Sequence, residues 1–184
     1  GWSDYEARFS YPVAPGSWRD FPSPDWDGKS SLDGKLLVWC EQALSTQILF
    51  LSVLPELDLP GGFIVEAAPE LAPLLERGLP QAEIVAMRDP PDPRLSANDI
   101  AAQIPMGRLC GVMRRSRGDF TKATPGYLSA DPDRAIDFML DLVKPERRTI
   151  GISWWKSSND QGGLSLELLE PILRTPNVTW VNLE

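Results

Sequence analysis

The sequence predicts an α/β fold: a Rossmann-like three-layer sandwich with a mostly parallel sheet. Two observations carry this reading. First, short and almost wholly apolar runs recur along the chain: KLLVWC at 35–40, FIVEA at 63–67, EIVAM at 83–87, TIGISWW at 149–155 and VTWVNL at 178–183. Such runs suit strands buried on both faces. Second, helix-spaced segments and short loops separate the first three runs, so successive strands lie parallel with right-handed crossovers. With 42% hydrophobic and 24% charged residues among 184, a packed core is expected.

In chain order, residues 1–30 differ from the rest. Trp2, Tyr5, Glu6 and Phe9 have helical spacing, and Pro12, Pro15, Pro22 and Pro24 then forbid regular structure. An extended arm is predicted, with Trp18 and Trp26 buried as anchors. The first strand follows at 35–40, then a helix capped by Ser45 and ending before Pro55. Gly61-Gly62 turns the chain into the second strand, Pro69 opens the next helix, and Glu70 sits favourably in its first turn. Glu66 reads as a strand-end charge. After the third strand, Pro90, Pro91 and Pro93 mark an irregular stretch. A strand near 100–104 and a short helix from Met106 to Met113 come next. Asp131 caps the clearest helix, which starts at Pro132 and carries Ala135, Ile136, Met139, Leu140 and Val143 on one face. A helix near 167–174, interrupted at Pro171, separates the last two strands. A terminal parallel strand with no covering helix suggests a domain that continues.

Composition excludes several functions. A net charge of −8 opposes binding to nucleic acid or an anionic membrane, and the cluster Arg114, Arg115, Arg117 reads as a solvated helix end. No apolar run approaches the roughly 20 residues of a membrane span, and no signal-peptide pattern opens the chain. Histidine is absent, which removes triad chemistry and the commonest zinc ligand. Cys40 and Cys110 have no metal-binding spacing and read as buried free thiols in a reducing cytoplasm. Neither metal nor cofactor is expected. Both G-x-G-x-x-G and the Walker pattern are missing after the first strand, which disfavours nicotinamide or ATP chemistry.

In an open parallel sheet, ligands bind outside the carboxyl ends of the strands. Two loops qualify. Glu41, Gln42, Ser45, Thr46 and Gln47 follow the first strand, and Trp155 and Lys156 follow the late one. Glu41 and Gln42 have the groups to hydrogen-bond a polyhydroxylated ligand, or simply to solvate a loop. Trp154-Trp155 reads as core plus rim or as a stacking platform, and Lys156 as a surface lysine or an anion contact.

Several stretches stand in a telling order: W-x-x-Y-E-x-R-F at 2–9, P-x-W-D-G at 24–28, G-K-L-L-V-W-x-E-Q at 34–42, P-E-L-x-x-L-L at 69–75, G-Y-L-x-A-D at 126–131, G-I-S-W at 151–154 and P-x-V-x-W-V-N-L at 176–183. In this order the chain resembles the heptosyltransferase-like glycosyltransferase module that follows tetratricopeptide repeats in bacterial proteins. The resemblance implies the first lobe of a two-lobed fold. Residues 1–30 would form the arm, with the end of a repeat helix at 1–9. Residues 31–148 would form the acceptor-side lobe, and 149–184 the approach to a second lobe that holds a nucleotide sugar. Repeats, second lobe and a sugar acceptor or protein partner would be the partners. After E-Q the family reads Gly-Leu-Gly-Asp, and its Asp is the base that deprotonates the acceptor. Here Ala43-Leu44-Ser45-Thr46 stands instead. A threonine hydroxyl cannot act as a base near neutral pH, and Glu41 is the nearby carboxylate. The resemblance therefore implies a degenerate lobe, inactive as this fragment. The alternative is a non-catalytic interaction scaffold.

Overall fold

The computed structural model describes residues 1–10, 19–122, 126–154 and 165–183. It is an α/β protein in two compact units, 1–129 and 130–184. The helix expected to end the first lobe is thus grouped with the late strands.

In the first unit, α1 (Trp2–Tyr5) runs into a 3-10 helix (Glu6–Ser10), and after the arm come β1 (Lys35–Trp39), α2 (Leu44–Phe50), β2 (Phe63–Ala67), α3 (Ala72–Gly78), β3 (Ala82–Ala86), β4 (Ile100–Pro105) and α4 (Met106–Met113). The four strands form one wholly parallel sheet in the order β3-β2-β1-β4, as the sequence predicts. Alternation along the strands divides the core. Leu36, Val38, Phe63, Val65, Ile84 and Ile104 face the helices, where Leu51, Leu54, Leu75, Met106 and Leu109 meet them. Leu37, Trp39, Ile64, Val85 and Ile100 face the other way, under Phe21 and Leu95. The third layer is therefore made by the arm and a 3-10 turn at Pro93–Ser96 rather than by long helices.

The arm is structural. Asp25 bridges to Gln103 in parallel, Trp26 N–H donates to the Gln103 carbonyl at 2.7 Å, and Gln103 N–H donates to the Pro24 carbonyl at 2.8 Å. This covers the exposed edge of β4, which would otherwise invite pairing with another chain. Trp26 is buried as expected, and so is Phe21; Trp18 lies outside the described residues. At the amino edge the turns before β1 and β2 abut so closely that a Cβ at Gly61 would lie 2.1 Å from the Gly34 carbonyl oxygen.

Several local expectations are corrected. Ser45 does not cap α2. The cap is Ala43, without a side-chain hydrogen bond, and Ser45 lies inside the first turn. The α-helix does end before Pro55, at Phe50, and Pro55 sits within a following 3-10 helix, Leu51–Glu56. Pro69 and Glu70 form a turn, with Leu71 N–H bonded to the Ala68 carbonyl, and α3 starts at Ala72 with Pro73 in its first turn. Arg114 is buried rather than solvated: its Nη1 donates to Glu56 Oε2 at 3.0 Å. Glu66 is fully buried, and Arg19 grips it with Nε to Oε2 at 2.9 Å and Nη2 to Oε1 at 2.5 Å. Burial pushes the Glu66 carboxyl above its ordinary value, and the Arg19 guanidinium pulls against that shift.

In the second unit, α5 (Pro132–Leu142) is capped by Asp131, whose carboxylate accepts from the N–H groups of Asp133 and Arg134. Strands β5 (Arg148–Ile152) and β6 (Val178–Asn182) pair in parallel around α6 (Leu166–Leu173), which carries Pro171 within it. The strand at 149–155 is predicted to be buried, but β5 is exposed or half-exposed throughout its described length. Ile136, Met139, Leu140 and Val143 of the α5 face are exposed too. A two-stranded parallel pair with one connecting helix has too few layers to cover both.

Removing one partner of a buried ion pair leaves the other charge uncompensated. Glu66→Ala is expected to cost about 3–5 kcal/mol in denaturant unfolding, whereas Arg19→Met combined with Glu66→Leu recovers most of that loss. Equal losses in the single and double variants would show that the pair is not what holds the arm.

Candidate functional site

The strand order places the switch point between β1 and β4. The chain leaves β1 toward β2 on one side and returns from β3 to β4 on the other. At the carboxyl end of β1 the loop 41–43 leads directly into α2. Glu41, Gln42, Ser45, Thr46 and Gln47 therefore lie on one loop and one helical turn at this edge. Trp155 and Lys156 lie outside the described residues.

Glu41 is only 5% exposed. Its Oε1 accepts from Arg8 Nη2 at 2.8 Å and from Gly107 N–H, at the start of α4, at 3.3 Å. Its Oε2 is buried without a hydrogen-bond partner, and so is Arg8 Nε. Burial raises the Glu41 carboxyl above its ordinary value. The hydrogen bond and charge of Arg8 oppose the shift without cancelling it. The Arg8 guanidinium lies 4.0 Å from the Tyr5 ring centroid and 3.9 Å from that of Phe9, within cation–π range.

Gln42 adopts φ 101°, a left-handed conformation that favours glycine. It is exposed, and its Nε2 donates to the Tyr5 hydroxyl at 2.5 Å. Gln47 is buried and structural: its Nε2 donates to the Gln42 carbonyl and its Oε1 accepts from Ala68 N–H, both at 2.9 Å. That amide brackets the loop after β1 to the loop after β2. Ser45 is exposed and Thr46 half-buried on the first turn of α2. Their neighbourhood at the switch point follows from sequence, because a short polar loop must join an apolar strand to an apolar helical face. The contributions of Tyr5, Arg8 and Gly107 do not. Only the distant match of W-x-x-Y-E-x-R-F and the glycine in the first turn of α4 hint at them.

Among the described residues, no group of three or more Asp, Glu or Cys is placed to hold a metal, and no helix is long and apolar enough to cross a membrane. A cavity of about 580 Å³ in the second unit is lined by Arg147, Arg148, Asn177 and Val178. It opens at the amino ends of β5 and β6, the wrong end for ligands of parallel sheets.

Fold and site together define a Rossmann-like α/β protein whose switch-point crevice is covered by its own N-terminal segment. No protein-family model matches the chain, and no solved structure matches it. Over 205 aligned residues, and along the whole of this chain, it is 28% identical to Protein FlbA of Caulobacter vibrioides. The chain spans 34% of that protein's length.

The raised carboxyl of Glu41 makes its charged form the costly one. Its stabilising contribution is full below the ordinary carboxylate range and is lost as pH rises through the raised folded value. Glu41→Gln should therefore gain stability relative to the parent as pH rises from the ordinary carboxylate range through the raised folded value in urea titrations. A constant difference across that window contradicts the assignment.

Proposed function

We propose that this chain is the N-terminal, acceptor-side lobe of a two-lobed glycosyltransferase-like protein, degenerate at its base position and inactive as the 184-residue chain. The observation that supports it most is the gathering of Glu41, Gln42, Ser45 and Thr46 beside the β1–β4 switch point. Gln42 and the two hydroxyls are the right donors and acceptors for a polyhydroxylated acceptor. Proton abstraction from that acceptor needs a carboxylate within hydrogen-bond reach. Thr46 supplies none, and Glu41 already gives one oxygen to Arg8. Transfer from a nucleotide sugar would then draw its base from outside the described loop. It would proceed without a metal, a helix N-terminus in the donor lobe holding the diphosphate. The two buried free thiols agree with a cytoplasmic setting.

A second reading is a non-catalytic interaction domain that works with tetratricopeptide repeats. The exposed Ile136, Phe138, Met139 and Leu140 of α5 favour it.

Calorimetric titration of the chain with UDP-, GDP- and ADP-sugars is expected to show no saturable binding tighter than about 10 μM, roughly −7 kcal/mol. Tighter binding overturns the acceptor-side assignment. In a polypeptide of the length of FlbA, Thr46→Asp is expected to raise sugar transfer or donor hydrolysis. Parent turnover near 1 per second, unimproved by Thr46→Asp, refutes the lost-base account. Donor left intact by both proteins replaces the first reading with the second.

A further inference from the structure

We propose that the segment Trp2–Ser10 is an autoinhibitory plug, which closes the switch-point crevice over Glu41 and must withdraw before an acceptor can reach it. The identity of what is excluded rests on the acceptor-side reading above; the closure itself rests on the geometry alone.

The segment occupies the place where this class of sheet receives its ligand. Arg8 takes Glu41, and Tyr5 takes Gln42. On the flank of α4, Arg108 Nε donates to Glu6 Oε2 at 2.9 Å, and Trp2 Nε1 donates to the Arg114 carbonyl at 2.6 Å. Tyr5 and Trp2 pack edge-on against Phe50 at centroid distances of 5.4 and 6.2 Å. Gly107 makes the approach possible. A Cβ there would lie 2.7 Å from Tyr5 Cε1, 2.8 Å from Arg8 Nη2 and 3.0 Å from Glu41 Oε1. Three side chains of the closure thus converge on Gly107, and a side chain there would push on all three ends at once.

The closure is nonetheless incomplete in its own terms. Glu41 Oε2 and Arg8 Nε are both buried and both unpartnered, so the pair forgoes the two-pronged grip that Arg19 makes on Glu66. Leaving such atoms unmatched costs free energy that water would repay on opening. Gln42 is held in a left-handed conformation at the same point. Beneath the plug Leu36, Val38, Cys40, Ile104, Met106 and Leu109 are buried, and Trp2 is only a partly buried flank of that cluster. A half-satisfied polar lid at the flank of an apolar core is an arrangement that opens locally and leaves the sheet folded.

The test uses two independent variants. Gly107→Ala sets a methyl group against the ends of Tyr5, Arg8 and Glu41, and Arg8→Ala removes the segment's anchor. Modification of Glu41 by a water-soluble carbodiimide with glycine ethyl ester, read by peptide mass spectrometry, reports opening. The expected result is labelling about tenfold or more faster in both variants than in the parent, with hydrogen-exchange protection of β1–β4 retained. Unchanged labelling overturns the plug. So does loss of sheet protection together with the segment in both variants, or failure of both to fold, since the segment is then part of the core. Glucose and mannose titrated into the opened variants test the acceptor reading separately. Their failure to bind, with Glu41 freely labelled, refutes that reading and leaves the closure standing.

Discussion

A carboxylate removed from water must find a cation or surrender its charge. This sheet removes two, on neighbouring strands at the same edge. Glu66 lies opposite Trp39 in the β1–β2 register, and Glu41 follows that strand by two residues. Both are answered from the beginning of the chain, Glu41 by Arg8 and Glu66 by Arg19. Apolar burial drives the folding but has little direction. The guanidinium fork has direction, because its donors must meet carboxylate oxygens in the plane of the group. The described parts of the arm therefore meet the sheet where the two acids hold them, at Arg8 and at Arg19. Its prolines and aromatics add to these holds: Pro24 and Trp26 pair with β4, and Phe21 closes the core under Trp39.

The two arginines carry unequal burdens. Arg19 satisfies both oxygens of Glu66 and has a hydrogen left for the Arg88 carbonyl at 2.8 Å. Arg8 spreads its donors over Glu41, Glu6 and the Tyr5 carbonyl, and its Nε reaches none of them. One grip is saturated and the other is shared. The same chemistry thus fixes the arm at one strand and leaves it comparatively loose at the next.

Strands were the most legible part of the chain. Apolar runs of five to seven residues with β-branched content cannot be amphipathic helices of useful length, and all six observed strands fall largely on them or on the predicted 100–104 stretch. Asp131-Pro132 was equally plain, since an acidic cap before proline has few other meanings. Helix starts with competing signals were not. Pro69 and Pro73 both suit a first turn, and the turn closed by the Ala68 carbonyl selects the second. The environments of Arg114 and Glu66 were hidden because their partners, Glu56 and Arg19, are 58 and 47 residues away. The same holds for the site: local spacing placed Ser45 and Thr46 correctly, but nothing local announces that Arg8 reaches Glu41 across 33 residues.

The opposite edge of the sheet is closed by other means. There the Gly34 and Gly61 turns touch backbone to backbone, and Lys35 N–H donates to the Asp99 carbonyl at 2.7 Å. Around those contacts Lys35 Nζ also meets Glu83 Oε2 at 3.0 Å and Asp99 Oδ2 at 2.9 Å, in partly exposed pairs that dissolved ions screen. The sheet consequently has two ends of different character, one whose charges stand partly in water and one whose charges are buried. Rising pH forces charge onto Glu41 and Glu66 against their burial, so an alkaline stress should enter at the end where a Rossmann-like sheet meets its ligand and travel from there.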